Sequence, residues 1–116
     1  RKRREGKWLA CLPLMRSVRI AATAIGDLHD IWSHVAQNDA EAASRLVKEI
    51  MRRFSLLRNN PLLGRQQDQL LVNLRSFTVK GYLIFYQPSE DHVDILRVLH
   101  GSRDVEAIFE RFFDAL

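Results

Sequence analysis

Two neighbouring segments, Tyr82–Tyr86 and Val93–Leu99, are apolar on both alternating parities, with Asp94 and Arg97 as the exceptions. An antiparallel strand with one wet face alternates apolar with polar residues, whereas a strand without alternation reads as covered on both sides. A fold built on these segments therefore has to place material on both faces of one sheet. One helical hairpin covers one face, and a short C-terminal helix covers part of the other. The remainder reads either as a patch for a partner protein or as a core closed more tightly than the pattern suggests, and the patch is the favoured reading.

The rest of the chain supplies those elements. Ser17–Ala21 alternates as a short strand. Thr23 is positioned to cap a helix whose apolar face carries Ile25, Leu28, Ile31, Trp32 and Val35 at spacings of three and four. Gln37, Asn38 and Asp39 interrupt it, and Asn38 with Glu41 resembles a capping box for a second helix. There Ala43, Leu46, Val47, Ile50, Phe54 and Leu57 share one stripe, until Asn59, Asn60, Pro61 and Gly64 end it. A break of two or three residues between amphipathic helices predicts an antiparallel hairpin. Leu71–Val79 then reads as a strand, Lys80-Gly81 as a tight turn, Pro88–Asp91 as the next turn, and Val105, Ile108, Phe109, Phe112 and Leu116 as the face of a last helix.

Charge is unevenly placed. Of 18 basic and 14 acidic residues, six basic and one acidic fall in residues 1–16, which leaves residues 17–116 with a net charge of −1. The body therefore encodes no global attraction for phosphate, and any anion site in it must be a local cluster. Residues 1–14 are compositionally foreign: a basic start, then an apolar run broken by Pro13. A secretory signal and a basic arm for nucleic acid or a partner are alternatives. The favoured reading is an upstream extension or an added segment, with a natural start at Met15 and a single domain over 15–116.

Several chemistries are excluded. The lone Cys11 precludes an intramolecular disulfide and a multi-thiolate zinc site, and no run approaches 18 apolar residues. His29 and His34 lie about 140° apart around their helix, so they do not form a metal pair. No nucleophile elbow, phosphate loop or metal motif is present, and neither a metal nor a cofactor is expected. Arg97 stands out, because an arginine inside an apolar strand is costly unless paired. It reads first as a structural ion pair, and second as a phosphate or carboxylate ligand clustered with Arg75, Lys80 and His100. In an RNA-cleaving reading, Arg97 and His100 would serve as phosphate ligand and proton carrier.

The order strand, helical hairpin, three strands resembles the RelE/ParE superfamily of bacterial type II toxins, in its ParE-like (plasmid stabilisation) branch. The resemblance rests on Asp27-Leu28-His29-Asp30-Ile31-Trp32, Asn60-Pro61-Leu62-Leu63-Gly64, Arg75-Ser76-Phe77, Tyr82-Leu83-Ile84-Phe85-Tyr86 and Ile95–Asp104. It implies an α+β fold: an N-terminal strand and antiparallel helical hairpin packed on a twisted antiparallel sheet of about four strands, with a short C-terminal helix. It also implies inhibition of DNA gyrase rather than catalysis by the chain's own residues, in the bacterial cytoplasm and with no membrane partner. The alternative is a ribosome-dependent mRNA endoribonuclease of RelE type. The implied partner is a ParD-like, DNA-binding dimeric antitoxin in a toxin–antitoxin hetero-oligomer, with a segment that wraps the toxin. Trp32, Tyr82, Ile84, Tyr86, Leu96 and Val98 are the expected antitoxin contacts. Arg97, His100 and Arg103 are the expected target contacts.

Overall fold

The computed structural model describes residues 17–115, with side chains described through residue 111. The expectations for residues 1–14 and a start at Met15, and for Phe112 and Leu116 on the last helix, lie outside this range. Strand β1 (Ser17–Ile20) leads into helices α1 (Ala22–Ala36) and α2 (Ala40–Asn59). Strands β2 (Arg65–Gln66), β3 (Arg75–Val79), β4 (Tyr82–Pro88) and β5 (His92–His100) follow, and α3 (Val105–Ala115) closes the chain.

The α+β order is as expected, and the sheet has five strands in the order β1-β5-β4-β3-β2. It is mixed rather than wholly antiparallel: β1 pairs parallel with β5, Ser17 opposite His92 through Ile20 opposite Ile95. A parallel pair needs a long crossover, and the helical hairpin followed by β2, β3 and β4 provides it. The short β2, paired to β3 at Arg65–Ser76 and Gln66–Arg75, carries no apolar alternation that would announce it.

The two-sided apolarity of β4 and β5 is satisfied within the chain. Ile84, Tyr86, Val93, Ile95 and Val98 pack with Ala24, Leu28, Ile31, Ile50, Phe54 and Leu57 of the hairpin. On the opposite face Phe85 and Leu99 pack with Leu74, Ile108 and Phe109, flanked by Leu70, Leu71, Leu83 and Leu96. The sequence-based expectation of a large uncovered sheet face is thereby corrected: the loop before β3 and α3 close it. Leu70 and Leu71 could do so because the strand expected over Leu71–Val79 begins only at Arg75. Asn73 adopts a left-handed conformation (φ 68°) and its N–H donates to Asp68 Oδ1 at 2.9 Å, which folds the preceding residues into a turn.

Local details differ in instructive ways. Asp39, not Asn38, caps α2, accepting from the N–H groups of Glu41 and Ala42. The inward stripe of α1 is Ala24, Asp27, Leu28 and Ile31, so Ile25 and Trp32 are exposed. Lys80 and Gly81 both have positive φ (52° and 84°), as a tight turn joining β3 to β4 requires. His92 opens β5, with Nδ1 2.8 Å from Asp91 Oδ1 and Nε2 3.2 Å from Asp94 Oδ2. Its hydrogen bond lowers the Asp91 carboxyl below its ordinary value.

Candidate functional site

The site is built where β5 outruns β1. Ladder pairing ends at Ile20–Ile95, and the Ala21 N–H still donates to Ile95 O at 2.9 Å. Beyond that point α1 side chains replace the missing strand. Thr23 Oγ1 donates to Leu96 O at 2.7 Å, and the Val98 N–H donates to Asp27 Oδ2 at 2.9 Å. Thr23 is thus not the helix cap that its position suggested. Thr23→Val should remove the bond to the Leu96 carbonyl at nearly constant volume and cost about 1 kcal/mol, read from urea unfolding. No change would mean that water replaces the hydroxyl.

Asp27 is the organising residue. Its carboxylate accepts from Arg97 Nε and from a terminal guanidinium nitrogen, both at 2.8 Å. It is buried, and the Arg97 side chain retains 19% of its surface. The carboxylate holds the Arg97 guanidinium above its ordinary pKa against the opposing pull of burial. Asp27 was visible only as part of a motif. The signal that would have found it was an acid on the Ala24–Leu28–Ile31 stripe, matched by a lone arginine in an apolar strand.

A bulge sets the parity of this region. Tyr86 pairs with Ile95 but Phe85 with Arg97, so Leu96 is an extra residue on β5. Ile95 and Val98, three apart, therefore both enter the hairpin-side core. Spacing alone cannot show this: the bulge shifts the parity of Arg97 to His100 relative to His92–Ile95, while the register from Arg97 to His100 stays regular.

Next to the ion pair lies a groove of about 550 Å³ between α1 and the end of β5, lined among others by Asp30, His34, Tyr82, His100 and Arg103. The edge of Tyr82 meets His100, with ring centroids 5.1 Å apart at 85°. His100 Nδ1 accepts the Ser102 N–H at 3.1 Å and lies 2.7 Å from Ser102 Oγ, so the ring proton of the neutral form belongs on Nε2. Of the expected target contacts, His100 and Arg103 line this groove and Arg97 lies beside it.

The other two members of the imagined cation cluster are elsewhere. Arg75 donates to Leu62 O at 3.1 Å and Gly64 O at 2.7 Å, anchoring the loop after α2. Lys80 lies against α2, in a groove with Arg45 and Arg52. A four-residue phosphate site of Arg75, Lys80, Arg97 and His100 is therefore not assembled. Among the expected antitoxin contacts, Ile84, Tyr86 and Val98 are buried in the core and offer no surface, Tyr82 and Leu96 are partly buried, and Trp32 is 40% exposed. Among the described residues the exposed large apolar ones are instead Ile25, Trp32, Met51, Leu56, Leu62, Leu63 and Val72. Among the described residues no group of three His, Cys, Asp or Glu could hold a metal ion, and no helix is long and apolar enough to cross a membrane.

Comparison with known proteins gives concordant results. Residues 18–105 match the family model described as the ParE toxin of the type II toxin–antitoxin system parDE. Toxin ParE1 of Caulobacter vibrioides is 28% identical over 94 residues, covering 80% of this chain and 97% of that protein. Toxin ParE3 of the same organism is 34% identical over 83 residues, covering 71% and 83%. A chain of the chromosomal ParDE TA system from P. aeruginosa shares the fold at a TM-score of 0.66 and 23% identity, covering 75% of this chain and 97% of that one. The matched span runs from β1 to the start of α3, and with it the chain belongs to the ParE toxin family of type II toxin–antitoxin systems.

Proposed function

We propose that this chain is a cytoplasmic toxin that inhibits DNA gyrase and is neutralised by a cognate ParD-like antitoxin. The observation that carries the reading is the family match across residues 18–105. The chemistry of the site agrees with it. The arginine best placed to hold a phosphate has its charge answered by Asp27, which leaves Arg103 as the one arginine or lysine, among the described residues, lining the groove with His100. Acid–base cleavage of RNA needs a proton carrier together with free cations at the developing charge. An inhibitor that acts through contact surface needs neither.

The antitoxin contacts follow from exposure. Trp32, with Ile25 two turns earlier on the same side of α1, and the Leu62–Leu63 loop offer the apolar surface on which a wrapping segment folds on binding. Arg103 and His100, at the open end of β5, are the proposed target contacts.

Purified components test the reading. Added to gyrase and supercoiled plasmid, the protein should raise the yield of linear, protein-linked DNA, and added to translating ribosomes it should leave the message intact. His100→Ala should weaken toxicity by no more than about tenfold, the loss of a single contact, whereas loss of a catalytic acid or base costs about a hundredfold or more. Cleaved message with unaffected gyrase would overturn the proposal in favour of the endoribonuclease, the reading that the shared groove of Tyr82, His100 and Arg103 would then serve.

A further inference from the structure

We propose that the groove between α2 and the β3–β4 turn binds the phosphate backbone of duplex DNA. The groove has a volume of about 580 Å³ and is lined by Arg45, Leu46, Lys48, Glu49, Arg52 and Lys80. Arg45, Lys48 and Arg52 follow one another along α2 at spacings of three and four, so they share a helix face. Lys80 comes from across the sheet, held at the first position of the turn by a left-handed backbone (φ 52°). Sequence spacing does not unite these four cations; the packing of α2 on the sheet does.

The charge of the groove is largely unanswered. Glu49 is its one acid, and it is shared between Arg52 at 2.8 Å and Arg53 at 2.7 Å. Arg45 reaches Glu41 only at 4.0 Å, with both side chains mostly in water. Lys48 and Lys80 are exposed and form no ion pair with a carboxylate among the described residues. On a body whose net charge is close to neutral, this is a local cluster of the kind that a phosphate backbone would require.

The lining selects among polyanions. A peptide groove reads side chains with apolar pockets, and here Leu46 is the one apolar residue. Single-stranded nucleic acid is held by aromatic side chains on which bases stack, and the groove has none. Charge with no base-reading or side-chain-reading partner suits the backbone of a duplex, which is bound independently of sequence.

The test is fluorescence anisotropy of the whole chain with a short labelled duplex over a range of salt. Binding should fall on the order of 10⁻⁴–10⁻⁶ M near physiological salt, with a log–log slope of about −3. Lys48→Glu with Lys80→Glu breaks no ion pair, and should weaken binding at least about tenfold while reducing the slope by about 2. The milder Lys48→Gln with Lys80→Gln should fall between, and circular dichroism should show both variants folded. A companion variant with Lys2, Arg3, Arg4 and Lys7 all changed to Gln separates the basic N-terminal residues, and should keep the groove-dependent part of the binding. Wild-type affinity in the charge-reversed variant overturns the proposal. So does binding abolished by the N-terminal variant alone, a preference for single strands, or capture of polyglutamate but not duplex. No gyrase is present, so the result stands or falls separately from the topoisomerase reading.

Discussion

Replacing Asp27 with alanine is expected to destabilise the fold by about 3–5 kcal/mol, the range for a buried ion pair left with one partner. The lower end applies, because the Arg97 side chain still meets water over 19% of its surface. The change strips the guanidinium of both its 2.8 Å bonds and leaves the Val98 N–H without its acceptor. In a domain of this size each kcal/mol lowers Tm by roughly 4–8 °C, so urea and thermal unfolding will both read it. Arg97→Ala should cost less, since Asp27 keeps the Val98 N–H. Arg97→Lys should not restore stability, because an ammonium cannot make the two-pronged contact. In a double-mutant cycle the Asp27→Ala and Arg97→Ala losses should fall well short of additivity. A loss below about 1 kcal/mol for Asp27→Ala would show that the pair is decorative, and would return Arg97 to the list of free phosphate ligands. A toxin weakened by Arg97→Ala is thus expected to be a destabilised toxin, to be distinguished by its lowered Tm from a fully stable one that has lost a contact.

The second large effect is expected at Gly64. A Cβ there would lie 2.5 Å from the Tyr86 hydroxyl, 2.7 Å from Tyr86 Cε1 and 2.8 Å from the Ser76 carbonyl oxygen. Tyr86 is fully buried, its hydroxyl donating to Pro61 O and accepting from the Gly64 N–H, both at 2.8 Å, so it cannot swing away. Gly64→Ala should cost about 2–4 kcal/mol. Tyr86→Phe alone should cost about 1–3 kcal/mol by leaving the Gly64 N–H and Pro61 carbonyl unpaired. In the Tyr86→Phe background Gly64→Ala should cost less, because the nearest of the three clashing atoms is gone. Equal cost in both backgrounds would assign the strain to the ring carbon at 2.7 Å and the Ser76 carbonyl at 2.8 Å instead. Burial also holds the Tyr86 phenol above its ordinary value of 10.0. Its contribution is therefore full below about pH 10 and declines as pH rises through the folded value, and Tyr86→Phe should remove that part of any alkaline destabilisation.

The order of elements was legible because periodicity and turn chemistry agreed: helical spacing over 25–57, two-sided apolar strands at 82–86 and 93–99, and Lys80-Gly81 between strands. What escaped depends on partners far apart in the chain. The parallel pairing of β1 on β5 joins residues that no local pattern connects. The bulge at Leu96 changes parity without changing composition. Leu70 and Leu71 look like strand residues and serve as a lid, because Asn73 can adopt a conformation that a leucine would resist. The ion-pair role of Arg97 was legible as a physical necessity, but not its partner, since Asp27 looks like any helix-surface acid until the helix is docked. The apolar surplus of the sheet was real: the last helix, whose Val105, Ile108 and Phe109 were legible from their period, covers part of the second face, and the Leu70–Leu71 segment, whose burial was not, closes the rest.

The parallel pairing of β1 also has a consequence for timing. His92 follows Ser17 by 75 residues, and β5 is the neighbour on which β1 depends. At about 5–20 residues per second, a ribosome needs roughly 4–15 s to travel that distance. Throughout that interval β1 has no strand to pair with, and the Asp27 carboxylate has no Arg97. Because β5, the strand that joins β1 to the rest of the sheet, is made after the other four, a nascent chain cut short before it cannot assemble the end of β5 at all. Whatever the end of β5 contacts, it can do so only after this delay, so the surface that an antitoxin would have to neutralise is absent for those seconds of synthesis.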